Sequence, residues 1–338
     1  MYSNNTKIIH GVLLLFVLLL SACGGGSGGG ATSAGGGTPP PPPSAHDNVP
    51  RFAYVTNFYD DTVSIFTVNA ITGQLRANGY VLEAQGSHPN TVGVDPSGRF
   101  AYVLNSGQDN ISAYTINTST GALTTVAGSP FAAGLSPVSI IIDPSGQFAY
   151  VANATSKTIS AYIINATTGA LTPVMGSPFA AGLNPGSIIV DPSGKFAYVT
   201  NNLSNTVSAF SINAATGALT PVMGSPFAAG AKPYSVSIDP SGRFAYVTNS
   251  GSNNVSAYTI NASTGALTAV AGSPFAAGLG PVSISVDSSG RFAYVTNSGS
   301  NNVSAYTINA TTGALTVDVS AVTAASAPVF ITTTDSIQ

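Results

Sequence analysis

"DPSGRFAYVTN" occupies Asp239–Asn249, and its centre "SGRFAYV" is also found at Ser97 and Ser289, with "SGQFAYV" at Ser145 and "SGKFAYV" at Ser193. The aromatic that opens each "FAY" falls at Phe52, Phe100, Phe148, Phe196, Phe244 and Phe292, always 48 residues apart. Self-similarity at this period marks propeller blades or a solenoid. One unit read locally decides between them. "PVSIIIDPSG" (Pro137–Gly146) starts as a β-branched strand and ends in a turn. Asp143 suits the first turn position, Pro144 presets φ at the second and Gly146 suits the fourth. "FAYVAN" (Phe148–Asn153) and the alternating "TISAYIIN" (Thr158–Asn165) read as the next two strands, and Ala170–Val174, after a turn at Gly169, as the fourth. No stretch of the repeat has helical periodicity with caps. Four short strands per unit predict an all-β propeller.

The repeat also explains its own residue types. In stacked sheets both faces of the inner strands are buried. Phe and Tyr of "FAY" then fill the space between blades, and the Ala between them permits close approach. The recurring Asp95, Asp143, Asp191, Asp239 and Asp287 are turn formers rather than catalytic acids, and Arg99, Lys195, Arg243 and Arg291 are solvated turn charges. The first unit begins at "RFAYVTN" without the strand that leads the others, while the chain ends on "APVFITTTDSIQ" (Ala327–Gln338), which is that strand alone. The count is therefore six four-stranded blades. Val329–Thr333 is expected beside Phe52–Thr56, so that the C-terminal strand joins the first blade and closes the ring.

Composition narrows the function. Only 6% of residues are charged and the net charge is −3, against about a quarter charged in an average domain. With no Lys/Arg run, a nucleic-acid role is excluded, since phosphate binding needs clustered cations. Ser, Thr, Asn and Gly replace the charges, giving a neutral, hydroxyl- and amide-rich surface.

The amino terminus carries an address. Lys7 precedes the apolar run Ile8–Leu20, too short to span a bilayer comfortably and suited to a secretory signal. "LSAC" follows, and Cys23 is the only cysteine, so no intrachain disulfide can form. The segment resembles the lipobox of bacterial lipoproteins, which implies removal of residues 1–22, lipidation of Cys23 and, by sorting pattern, the outer membrane. Residues 23–48 are Gly-rich, then proline-rich at Pro39–Pro43. They read as a flexible coil and stiff spacer holding residues 49–338, the propeller domain, off the bilayer.

The units "P-x-S-I-x-x-D-P-S-G-R-F-A-Y-V-x-N", "N-x-V-S-A-Y-x-I-N" and "T-G-A-L-T" resemble the lactonase-type, YncE-like propellers over about Pro50–Gln338. Such propellers usually have seven blades, one more than counted here. The resemblance implies a sugar lactone as substrate, with a His, an Arg and a carboxylate at the channel mouth. His88-Pro89 resembles the family's "H-P" lead into an inner strand, and no Arg of this chain falls at the expected place.

In a propeller the leading strands line a central channel. The residues before their first Pro are His88, Ser136, Asn184, Lys232 and Gly280, with Ala327 in the sixth place, and they are expected to ring its mouth. Near-identical blades cannot supply the asymmetric acid, base and stabiliser that catalysis needs. The unique ionisable groups are Arg76, Glu83 (the only Glu), His88 (the only His of the folded domain), Asp109, Lys157 and Lys232, of which Glu83, His88 and Lys232 could form a group. These are the candidate catalytic residues: His88 as general base on water, Lys232 on a substrate anion, Glu83 completing the group. Asp60 and Asp61 are the best carboxylates for Ca²⁺, but several converging acids are missing, so no metal or other cofactor is expected. On this reading the chain is a monomeric, non-enzymatic binding or scaffold module on the cell envelope, with a protein, glycan or small-molecule ligand. The alternative is a sugar-lactone hydrolase, 6-phosphogluconolactonase-like, acting at the channel mouth.

Overall fold

In the computed structural model, residues 51–69 and 72–332 are described. The signal, Cys23 and the tether lie outside them. All regular structure among the described residues is β. The first sheet is β1 (Arg51–Asn57), β2 (Thr62–Val68) and β3 (Leu75–Leu82), in that order. The second is β4 (Pro89–Val94), β5 (Phe100–Asn105), β6 (Asn110–Ile116) and β7 (Leu123–Thr125), with the short β8 (Phe131–Ala132) also on β6. β9 (Pro137–Ile142) opens the third sheet, and the pattern continues to a sixth. Every ladder is antiparallel, as short hairpin turns require. Successive leading strands touch, from β4 and β9 on to Pro281–Val286, and the "FAY" strand β1 of the first sheet meets β4. The six sheets are thus set radially around an axis.

Each "DPSG" turn is tied by its aspartate. Asp191 Oδ1 accepts from the amides of Lys195 and Phe196 at 2.8 and 2.7 Å, and Oδ2 accepts from the Ser193 amide at 3.2 Å and from its hydroxyl. Asp95, Asp143, Asp239 and Asp287 bind their own turns in the same manner. The carboxylates are consumed by main-chain donors, as the turn chemistry anticipates.

Neighbouring blades are latched by the "FAY" aromatics. The buried Tyr54, Tyr102, Tyr150, Tyr198 and Tyr246 each donate a phenol proton to the carbonyl of a glycine 67 residues on, Gly121, Gly169, Gly217, Gly265 and Gly313, at 2.8–3.0 Å. Each such bond is worth about 1 kcal/mol, and burial raises these phenol pKa values. The same glycines sit on the Phe rings: a Cβ on Gly217 would overlap Phe148, and its φ of +73° is one that side chains resist.

The sixth interface is built differently. Among the described residues Phe292 and Tyr294 are only half-buried, and nothing packs within 4 Å of where a Gly73 Cβ would be. The expected fourth strand of the first sheet is also corrected in part. Residues 329–332 form no strand, and Thr333 lies outside the described residues. The tail still occupies the sixth leading position. Ile331 N donates to Ser283 Oγ at 3.3 Å, just as Ile188 N donates to Ser139 Oγ at 3.2 Å, and Ala327 N donates to Asn301 Oδ1 at 2.7 Å. These bonds to sixth-sheet side chains help to position the tail.

Candidate functional site at the channel mouth

The predicted ring is held by an unusual backbone. His88, Ser136, Asn184, Lys232 and Ala327 have φ between 48° and 54°, and Gly280 has 59°. Left-handed φ is costly for residues other than Gly, Asn and Asp, so something must enforce it. The enforcing group comes from the preceding blade, where Asp61, Asp109, Lys157, Asn205, Asn253 and Asn301 also have positive φ. Asp61 Oδ1 accepts from His88 N at 2.8 Å and Asp109 Oδ1 from Ser136 N at 2.7 Å. Asn205 and Asn253 accept likewise from Lys232 N and Gly280 N, both at 2.9 Å. Lys157 carries no acceptor for Asn184. Asp61 is therefore a strut of the mouth, and no group of His, Cys, Asp and Glu suited to a metal occurs among the described residues.

The Asp61 carboxyl is held below its ordinary pKa, first by the amide of His88, then by those of Gly86 and, more weakly, the Ser87 hydroxyl. A depressed folded-state pKa gives stability that is present above the unfolded value of about 4. That stability is lost as pH falls through the lower folded value. Asp61→Asn, which copies Asn205, gives up the Gly86 bond but keeps the acceptor for His88. The melting temperature of the variant is expected to fall less steeply than that of the wild type below about pH 4, as thermal unfolding across an acid series would reveal.

The leading strands enclose a cavity of about 830 Å³. Its depth is lined by Ile140, Ile188 and Ile284 beside Ser139, Ser187 and Ser283, and its mouth by His88, Asn90, Ser106, Ser136, Asn184 and Asn202. No Asp, Glu, Lys or Arg is in the lining. His88 is clamped. Its imidazole stacks on Phe58, with centroids 4.7 Å apart and planes at 10°, and a Cβ at Gly107 would lie 2.7 Å from Nδ1 and overlap the Gly86 carbonyl. Gly107 thus leaves the space that the imidazole occupies. Two residues on, Asn90 donates Nδ2 to the Pro137 carbonyl at 3.0 Å, while its buried Oδ1 has no partner among the described residues.

The other two candidates are placed elsewhere. Glu83 accepts from Ser112 Oγ and Tyr114 Oη, both at 2.6 Å. In later blades the matching Tyr162, Tyr258 and Tyr306 donate instead to the carbonyls of Ala132, Ala228 and Ala276. The first blade lacks the short strand that provides that carbonyl, and Glu83 stands in for it. Burial and, secondly, Glu83 raise the Tyr114 phenol pKa. Lys232 is exposed, outside the cavity lining, with its Cγ near where a Gly251 Cβ would be. Of the ring, His88, Ser136 and Asn184 line the cavity; Lys232 and Gly280 do not.

The family model described as "Lactonase, 7-bladed beta-propeller" matches residues 45–184 and 140–333. The chain belongs to this lactonase propeller family. The family description names seven blades; the described residues of this lactonase-family chain form six sheets. Solved structures share the fold. A candidate 6-phosphogluconolactonase of Bacteroides uniformis superposes with a TM-score of 0.73 at 20% identity, covering 82% of this chain and 83% of that one. The periplasmic gluconolactonase PpgL of Pseudomonas aeruginosa gives 0.70 at 19%, covering 82% and 84%. A Lactobacillus plantarum protein gives 0.71 at 21%, covering 85% of each chain. Comparison with curated proteins finds no match.

Sequence reasoning passed over Phe58, Asn90 and the Asx struts. A comparison of the loops that follow each "FAY" strand carries the signal for the first: "NFYDD" (Asn57–Asp61) has an aromatic residue, and those beginning at Asn105, Asn153, Asn201, Asn249 and Asn297 have none.

Proposed function

We propose that this lactonase-family propeller hydrolyses a sugar lactone at the channel mouth, with His88 as general base. The observation that carries the reading is the imidazole stacked on Phe58 at the rim of an uncharged cavity whose largely apolar wall carries serine hydroxyls and asparagine amides. His88 takes a proton from water as the water attacks the lactone carbonyl. The Ser136 hydroxyl and Asn184 amide, both in the lining, are the donors for the oxygen that becomes negative. The ring C–O bond then breaks, and the proton returns to the alkoxide leaving group. Family membership and the lactonases among the structural neighbours support this reading. The absence of a carboxylate from the lining favours a second one, a binding module without turnover. Assay of the wild type on a panel of aldonolactones, phosphorylated and not, separates them: hydrolysis above background supports the enzyme, and none at any concentration supports the module.

We also propose that the domain acts on the outer membrane, anchored through lipid on Cys23 and spaced by residues 24–48. More than one acyl chain is needed for stable anchoring. In cells fed labelled palmitate the protein is expected to take up label and pellet with membranes, and Cys23→Ser is expected to abolish both.

A further inference from the structure

The mouth is asymmetric in one respect that lactone chemistry does not use. At the place of Tyr59 the other five loops carry Gly107, Thr155, Leu203, Gly251 and Gly299, and at the place of Phe58 three carry Ser106, Ser250 and Ser298. Those serines donate their hydroxyls to the carbonyls of His88, Lys232 and Gly280 at 3.0 Å. Phe58 has no hydroxyl to do so, and its loop forgoes such a bond to the residue that precedes the leading strand. It yields instead a continuous aromatic corner. Phe58 lies flat on His88, and Tyr59 stands nearly perpendicular to Phe58, with centroids 5.1 Å apart at 78°. Phe58 is half-buried, whereas Tyr59 is 68% exposed yet still lines the cavity, so the corner leads from inside the channel out over the rim.

From this corner we infer an outer binding subsite for a second sugar ring, making the ligand of the mouth a neutral oligosaccharide. Sugar rings present C–H faces that lie on aromatic faces, and hydroxyls at their edges that need amides and hydroxyls. Both kinds of surface are here, with the Asn90 Oδ1 acceptor lacking a partner. The lining carries no charge to attract an ionic ligand. The volume of about 830 Å³ is near the top of the range of about 300–1,000 Å³ for pockets that enclose drug-sized ligands, enough for more than one ring. This subsite does not depend on turnover.

The test is calorimetric titration of the folded domain with cellotriose, maltotriose and tri-N-acetylchitotriose and with the matching monosaccharides. At least one trisaccharide is expected to bind about tenfold more tightly than its monosaccharide, a difference of about 1.4 kcal/mol. In Tyr59→Ala that ratio is expected to fall to near one, and Tyr59→Phe, which keeps the ring, is expected to restore it. Equal affinity for mono- and trisaccharide, an undiminished ratio in Tyr59→Ala, or no binding of any neutral trisaccharide each overturns the inference. Trisaccharide binding without lactone hydrolysis would uphold it while defeating the enzymatic reading.

Discussion

His88→Asn is expected to lower lactone kcat/KM by about 10²- to 10⁴-fold, the usual contribution of a positioned general base. Asparagine is the informative replacement because Asn184 already holds the equivalent ring position at a φ of 53°. The backbone of the mouth therefore accepts it, and the amide bond to Asp61 needs no side chain of residue 88. What the variant loses is the imidazole and its stack on Phe58, a contact worth about 0.5–1.5 kcal/mol. Melting should shift by a few degrees at most while turnover collapses. If wild type and variant hydrolyse lactones at the same rate, His88 is not the base, and the hydroxyl wall of the channel becomes the place to look.

Asp191→Ala is expected to act in the opposite way, costing stability and sparing activity. The amides of Lys195 and Phe196 both end on Asp191 Oδ1, and Asp191 is only 4% exposed. Removing the acceptor leaves the buried Phe196 amide with no protein partner, at about 1–3 kcal/mol, while the amide of the exposed Lys195 can turn to water. A loss of about 2 kcal/mol follows, visible as a drop of several degrees in melting temperature. Asp191→Asn keeps one acceptor oxygen and should fall between. Lactone turnover by the folded fraction is expected to be unchanged, because Asp191 does not line the cavity. A variant that folds normally but loses turnover would reassign this carboxylate from turn to chemistry.

The repeat made much of the fold legible. Strand starts, the Asp-Pro-Ser-Gly turns and the inward Phe and Tyr all follow from local rules, and the sequence repeats them. The proposed address at Lys7–Cys23 rests on the same kind of short linear pattern and lies outside the described residues. Of the candidate site, His88, Ser136 and Asn184 were legible as ring positions that line the cavity. Glu83 attracted notice as the only Glu, but it substitutes for a backbone carbonyl that the first blade lacks. Lys232 belongs to the correct ring, yet its stem lies near Gly251 and away from the channel. Uniqueness in the sequence marked where the repeat is broken, and a break can serve packing as readily as chemistry.

By itself, then, the sequence determined the all-β unit, its period, its turns and the leading position of the tail. Those depend on residues a few places apart, where alternation and turn propensity act directly. Only the tertiary structure decided that Phe58 stacks on His88, that Asp61 sets the His88 backbone, and that Glu83 faces Ser112 and Tyr114. Each of these joins residues about thirty places apart on neighbouring sheets. Their meeting depends on how one sheet stacks on the next, and packing between sheets has no short-range signature in the chain.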